Sequence, residues 1–124
     1  MSDQIVRSLI GTRTAIGAGA WLAPRFSARL FGLDPDANPQ AEYLGRLFGV
    51  RDIALGFGLG SSSGSVRKQW LGIGIACDLA DAAAGVLAGR NGVLPTRATV
   101  LVTGTAILAA AMGVAALQGQ PADA

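Results

Sequence analysis

Four apolar stretches, near residues 5–23, 41–60, 69–89 and 95–118, occupy most of this 124-residue chain. Each is close to the ~20 residues that carry a helix across a hydrocarbon core. Backbone groups inside lipid have no water to bond, so stretches of this length must satisfy themselves internally as helices. The turns between the later stretches are only a few residues long, which forces neighbours antiparallel. The expected fold is therefore all-α: an integral membrane four-helix up-down-up-down bundle, one membrane domain over residues 1–124, multi-pass in the cell membrane with the lipid bilayer as its surroundings. Composition agrees. Only 15% of residues are charged, against roughly 25% in soluble domains. The 18 glycines suit membrane helices, which associate by close packing of small residues because lipid tails compete away ordinary hydrophobic attraction.

The connecting segments carry boundary residues. The first stretch closes on Trp21 and Pro24, and the segment 24–32, containing Arg25, Phe26, Arg29 and Phe31, suits a short interfacial helix. In that pose the guanidinium groups meet headgroups and the aromatic rings dip inward. Asp34-Pro35-Asp36 and Asn38-Pro39 make a turn-rich loop before Glu42 and Tyr43 open the second stretch. Ser61-Ser62-Ser63-Gly64-Ser65 is a short turn, and Arg67-Lys68-Gln69-Trp70 marks a water–lipid boundary with Trp70 at headgroup level. Arg90-Asn91-Gly92 turns the chain again, Pro95 opens the fourth stretch, and residues 119–124 form a polar tail. Ala18-Gly19-Ala20 resembles a signal-peptide cleavage site, but Arg13 interrupts the apolar run such a peptide needs, so the first stretch is expected to stay. Both termini fall on one side with Arg7, Arg67 and Lys68, opposite Arg25, Arg29, Arg90 and Arg97. A difference of one basic residue leaves the orientation open.

Six ionisable residues interrupt the apolar stretches: Arg13 in the first, Arg46, Arg51 and Asp52 in the second, Asp78 and Asp81 in the third. A charge at the centre of a membrane helix costs roughly 2.5–3.5 kcal/mol, so such groups face the bundle interior and pair. Three arginines balance three aspartates. Counting from the turns puts Arg51 level with Asp78 and Arg13 level with Asp52. Successive helical residues differ by ~100° in direction, so Arg51 and Asp52 point to different neighbours. The expected pairs are Arg51 with Asp78, extended to Asp81 by a bridging guanidinium fork, and Arg13 with Asp52. Arg46, nearer the surface, has three options: Asp81, Glu42 or a headgroup. The plainest role for the network is fixing helix register. A proton or cation relay through Asp78 and Asp81, and a docking site for a partner helix or headgroup, are the functional alternatives.

Catalytic chemistry finds little footing. There is no histidine and Cys77 stands alone in an apolar run, which removes disulfide frameworks, Cys/His zinc sites and the usual nucleophile–base pair. Gly56-Phe57-Gly58-Leu59-Gly60 lacks the lysine ending of a phosphate loop. Asp78-Leu79-Ala80-Asp81 shares its aspartates with membrane phosphatidyltransferases but not the rest of their signature, and two carboxylates are too few for a hard cation. No metal or cofactor is expected, nor an enzyme. Nucleic acid is not an expected partner either, since no basic patch carries interleaved aromatics. Gly85 with Gly89, the stripe Ala76, Ala80 and Ala84, and Ala109 with Gly113 read as surfaces for close helix packing.

Arg46-Leu47-Phe48-Gly49-Val50-Arg51-Asp52-Ile53-Ala54-Leu55-Gly56, taken with Arg13, Pro24, Asp78-Leu79-Ala80-Asp81 and Leu94-Pro95, resembles a family of small actinobacterial membrane proteins with four helices and an Arg-Asp pair on the second. The resemblance covers nearly the whole chain. Within that group it extends to accessory subunits of mycobacterial Mce-type lipid importers. It implies a non-enzymatic accessory or scaffolding subunit packed against a larger membrane protein, such as a lipid transporter permease. The alternative is a small proton- or cation-coupled transporter or channel that uses the intramembrane aspartates.

Overall fold

The computed structural model describes residues 2–122, so Met1 and the last two residues of the polar tail lie outside it. Among the described residues the chain forms five helices and no strand: α1 (Ser2–Leu22), α2 (Pro24–Leu30), α3 (Ala41–Gly60), α4 (Gly64–Arg90) and α5 (Thr96–Gln118). The all-α reading holds, with the short helix where the interfacial segment was expected. Helix α4 starts about one turn before its apolar stretch and α1 starts ahead of Ile5. The physical reason is that an apolar run reports where the solvent changes, while backbone hydrogen bonding continues through polar residues such as Arg67 and Lys68. Helices α4 and α5 are long and apolar enough to cross a membrane. Helices α1 and α3 miss that standard because Asp3, Arg7 and Arg13 interrupt one and Glu42, Arg46, Arg51 and Asp52 the other.

The four long helices stand in a ring, α1 beside α3, α3 beside α4, α4 beside α5 and α5 back against α1. Neighbours are antiparallel. Along the α1–α3 seam Gly17 meets Gly49 and Ile53 while Thr14 and Ile10 meet Gly56. Along the α4–α5 seam Gly89 meets Thr99 and Gly85 meets Thr103. These are the two closest seams; α1–α5 is looser and α3–α4 is the loosest of the four. Glycine explains the closeness of the first. A Cβ added at Gly17 would sit 2.6 Å from the Gly49 carbonyl oxygen, and one at Gly49 would sit 2.6 Å from that of Gly17.

The terminal end is tied by the Ser2 hydroxyl, which donates to the Ala116 carbonyl at 2.8 Å and accepts from the Gln120 side chain at 2.8 Å. Val6, Leu9, Leu59, Leu71 and Ala116 form the apolar core at that end. At the other end, α2 buries Pro24 and Ala28 against α1 and α3. Gly32, at φ +81°, lets the chain turn back until its backbone lies against Ala98 of α5, and Pro35 is fully buried beneath the loop.

Candidate functional site

Among the described residues the bundle buries three charged side chains and leaves many large apolar ones exposed. Its buried charged residues are Arg13 (7% exposed), Asp52 (5%) and Asp78 (5%), set among alanines and glycines. Many of its large apolar side chains, among them Leu22, Phe57, Val100, Ile107 and Leu108, are exposed, while Val6, Leu9, Leu55, Leu59 and Leu71 are buried.

Arg13 projects from α1 across the ring to α4, which is its diagonal partner rather than its neighbour. Its two terminal nitrogens donate to the two carboxylate oxygens of Asp78 at 3.1 and 2.7 Å. This fork-on-fork geometry is the strongest arrangement available to the two groups. Gly74 makes room for it: a Cβ there would lie 2.9 Å from the guanidinium. Asp52 of α3 approaches the same guanidinium at 3.7 Å without a hydrogen bond. One arginine therefore faces two buried carboxylates and binds one of them closely.

A second pair lies toward the outside of the α3–α4 seam. Arg51 donates to both oxygens of Asp81, at 3.0 and 2.5 Å, with the side chains 36% and 30% exposed. The Phe48 ring lies 4.9 Å from the guanidinium carbon and adds a cation–π contact.

Arg51 was expected to bridge Asp78 and Asp81; it takes Asp81 alone, and the structure corrects the Asp78 part. Counting from the turns gives the level of a residue along its helix but not the rotation of that helix about its axis. In α4 that rotation turns Asp78 inward to Arg13, while Asp81, three residues on, faces Arg51. The expected approach of Asp52 to Arg13 does occur, at the longer distance. Arg46 bonds neither Asp81 nor Glu42; its Nε donates to the Trp21 carbonyl at 3.1 Å, where the last turn of α1 leaves carbonyl groups without intrahelical donors.

Among the boundary residues, Trp21 and Tyr43 are exposed. Arg25 and Arg29 both donate to Asp36 in the following loop, Arg29 at 3.4 Å to each oxygen. Trp70 packs against the bundle. Its half-buried ring covers Gly58 and packs on the terminal core cluster, because the glycine leaves a gap that an indole fills. Phe48 and Asp36 were not anticipated as partners. The three-residue spacing of Phe48 and Arg51 was the available signal for the first, and the acidic turn following two arginines for the second.

Among the described residues no three His, Cys, Asp or Glu side chains gather as metal ligands. Cys77 is half-buried. Chemically, the arrangement holds charges in fixed partnership between helices. Comparison with protein families, curated proteins and solved structures finds no match to this chain.

Proposed function

We propose that the chain is a multi-pass membrane protein in which α1, α3, α4 and α5 cross the bilayer and α2 lies at its surface. In this reading the bundle is a small, non-enzymatic accessory or scaffolding subunit of a larger membrane complex. One observation carries the membrane part: Arg13, Asp52 and Asp78 are buried while Leu22, Phe57, Val100, Leu108 and many other large apolar side chains are exposed. Water would penalise that exterior at about 25 cal/mol per Å² of apolar surface, while hydrocarbon penalises only unpaired charges. Partnership through Arg13 and Arg51 also supplies α1 and α3 with what their lower hydropathy lacks, since each brings its charge to an opposite one. The accessory part is supported by commitment of Asp78 and Asp81 to arginine forks and by the sequence resemblance described above. Lipid transport as the setting rests on that resemblance alone.

Two measurements test this reading. The purified chain should need detergent or lipid to remain monodisperse; a stable solution without any amphiphile overturns the membrane part. Affinity purification in several mild detergents, followed by mass spectrometry, should recover a larger membrane protein in stoichiometric amount. Recovery of the chain alone in each of them overturns the accessory part.

The second reading, proton or cation coupling, has one observation in its favour, and it concerns Asp52 rather than Asp78 and Asp81. Asp52 is buried, and its closest cation is the 3.7 Å contact to an Arg13 already held by Asp78. Coupling through this carboxylate predicts that Asp52→Asn abolishes ion flux in reconstituted vesicles while the protein still accumulates. Vesicles in which wild type and Asp52→Asn carry the same flux as protein-free controls remove this reading.

A further inference from the structure

Three arginines and three aspartates interrupt the apolar stretches, but the fold does not keep them together. Arg46 is exposed at the α2 end, on the Trp21 carbonyl. Arg13 and Arg51 are left to answer Asp52, Asp78 and Asp81. With every group ionised, two arginines face three aspartates and the cluster is one cation short. The surrounding helices do not supply it. Arg7 of α1 is exposed near the terminal end, and Arg25 and Arg29 of α2 are held by Asp36. Helix α5 has no charged residue after Arg97, and half-buried Cys77 of α4 brings no cation.

The shortfall lands on Asp52. Asp78 receives both terminal nitrogens of Arg13, and Asp81 receives both of Arg51. Hydrogen bonds of this kind favour the ionised carboxylate. Asp52 accepts none among the described residues. Its nearest cation is Nη1 of Arg13 at 3.7 Å, the same nitrogen that donates to Asp78 at 3.1 Å. The Asp52 side chain is only 7% exposed, so water replaces little of what the protein withholds. A buried carboxylate with neither a hydrogen bond nor a cation of its own is a costly state, and such a group neutralises instead.

We propose that Asp52 holds a resident proton at neutral pH, which balances the cluster of Arg13, Arg51, Asp52, Asp78 and Asp81, and that this charge count keeps it there. Removing the charge of Asp78 would leave two arginines for two carboxylates. Asp52 then releases its proton and turns to Arg13. The fork on Asp78 is not rebuilt, so such a variant still loses stability. A resident proton requires neither a partner chain nor ion flux, and the bundle itself encloses the cluster.

Carbon NMR of the full chain in detergent micelles, with carbon-13 at the aspartate carboxyl carbons, distinguishes acid from carboxylate at each residue. At neutral pH the wild type should show one acid signal, and Asp52→Asn should lose it. Asp78→Asn should lose it too, although Asp52 is still present. An acid signal missing from the wild type, or one that survives Asp52→Asn, overturns the proposal. Its survival in Asp78→Asn means that burial alone holds the proton and overturns the charge count. An Asp52 that is carboxylate in sodium and acid when choline replaces sodium holds a metal cation, which also overturns it. Wild type and Asp52→Asn decide the site whether or not Asp78→Asn folds. A chain soluble without any amphiphile gives the same spectrum in buffer alone, so this proposal and the membrane reading fail separately.

Discussion

Arg13 and Asp78 hold each other through two short hydrogen bonds, at 3.1 and 2.7 Å, in the most buried part of the charge network. Losing one partner should cost far more than losing both, because a lone buried charge keeps its desolvation penalty without compensation. Asp78→Ala is expected to destabilise the bundle by about 3–5 kcal/mol, and Arg13→Met/Asp78→Leu to recover most of that loss. Denaturation in mixed micelles, followed by circular dichroism, checks both. A double variant no more stable than Asp78→Ala would mean that the pair is not what holds these residues in place. On the exterior, Asp36→Ala frees Arg25 and Arg29, and should change stability by no more than about 1 kcal/mol since the three side chains are largely exposed. The six charges that interrupt the apolar stretches were legible in the sequence, since charges are conspicuous there, but not that only Arg13, Asp52 and Asp78 are buried. Arg51 with Asp81 and the longer approach of Arg13 to Asp52 were among the expected pairs, while Arg13 with Asp78 was missed, because a helical count carries depth and lacks rotation.

Between elements, closeness is governed by glycine at the seams. Gly17→Ala forces a methyl to within 2.6 Å of the Gly49 carbonyl oxygen and 2.8 Å of the Ile53 side chain. It should therefore loosen α1 from α3 at a cost of about 1–3 kcal/mol. Gly11, on the same helix, has nothing within 4 Å of an added Cβ. Gly11→Ala should be neutral or stabilising by up to about 1 kcal/mol, since glycine is a poor residue for a helix interior. Side-by-side thermal denaturation of the two variants in the same detergent separates seam packing from helix propensity. Equal behaviour would remove the seam argument. Small-xxx-small motifs in the sequence pointed to Gly85 and Gly89, which do meet Thr103 and Thr99. They did not indicate the Gly17–Gly49 approach, because Gly17 has no motif partner on α1, and the Gly45–Gly49 spacing on α3 does not say which helix it meets.

For the molecule as a whole, placing Arg46 beside the end of α1 changes the balance of basic residues between the two ends. Arg25, Arg29, Arg46, Arg90 and Arg97 belong to the α2 end, and Arg7, Arg67 and Lys68 to the terminal end. With the four long helices crossing a bilayer as proposed, Lys and Arg bias favours the richer end on the cytoplasmic side. Alkaline phosphatase fused after the C-terminus should therefore be active, and a green fluorescent protein fusion at the same point dark; the reverse result would place the termini in the cytoplasm. The sequence by itself determined that the chain is helical, where its long helices lie to within about a turn, and which charges needed partners. Periodicity, apolar length and the penalty on isolated charges are local or compositional quantities. Tertiary structure decided what depends on rotation about helix axes: that Asp78 answers Arg13 across the ring, that Trp70 turns inward over Gly58, and that the α3–α4 seam stays open. Each of those is fixed by how four surfaces fit together at once, and no single stretch of the chain contains that information.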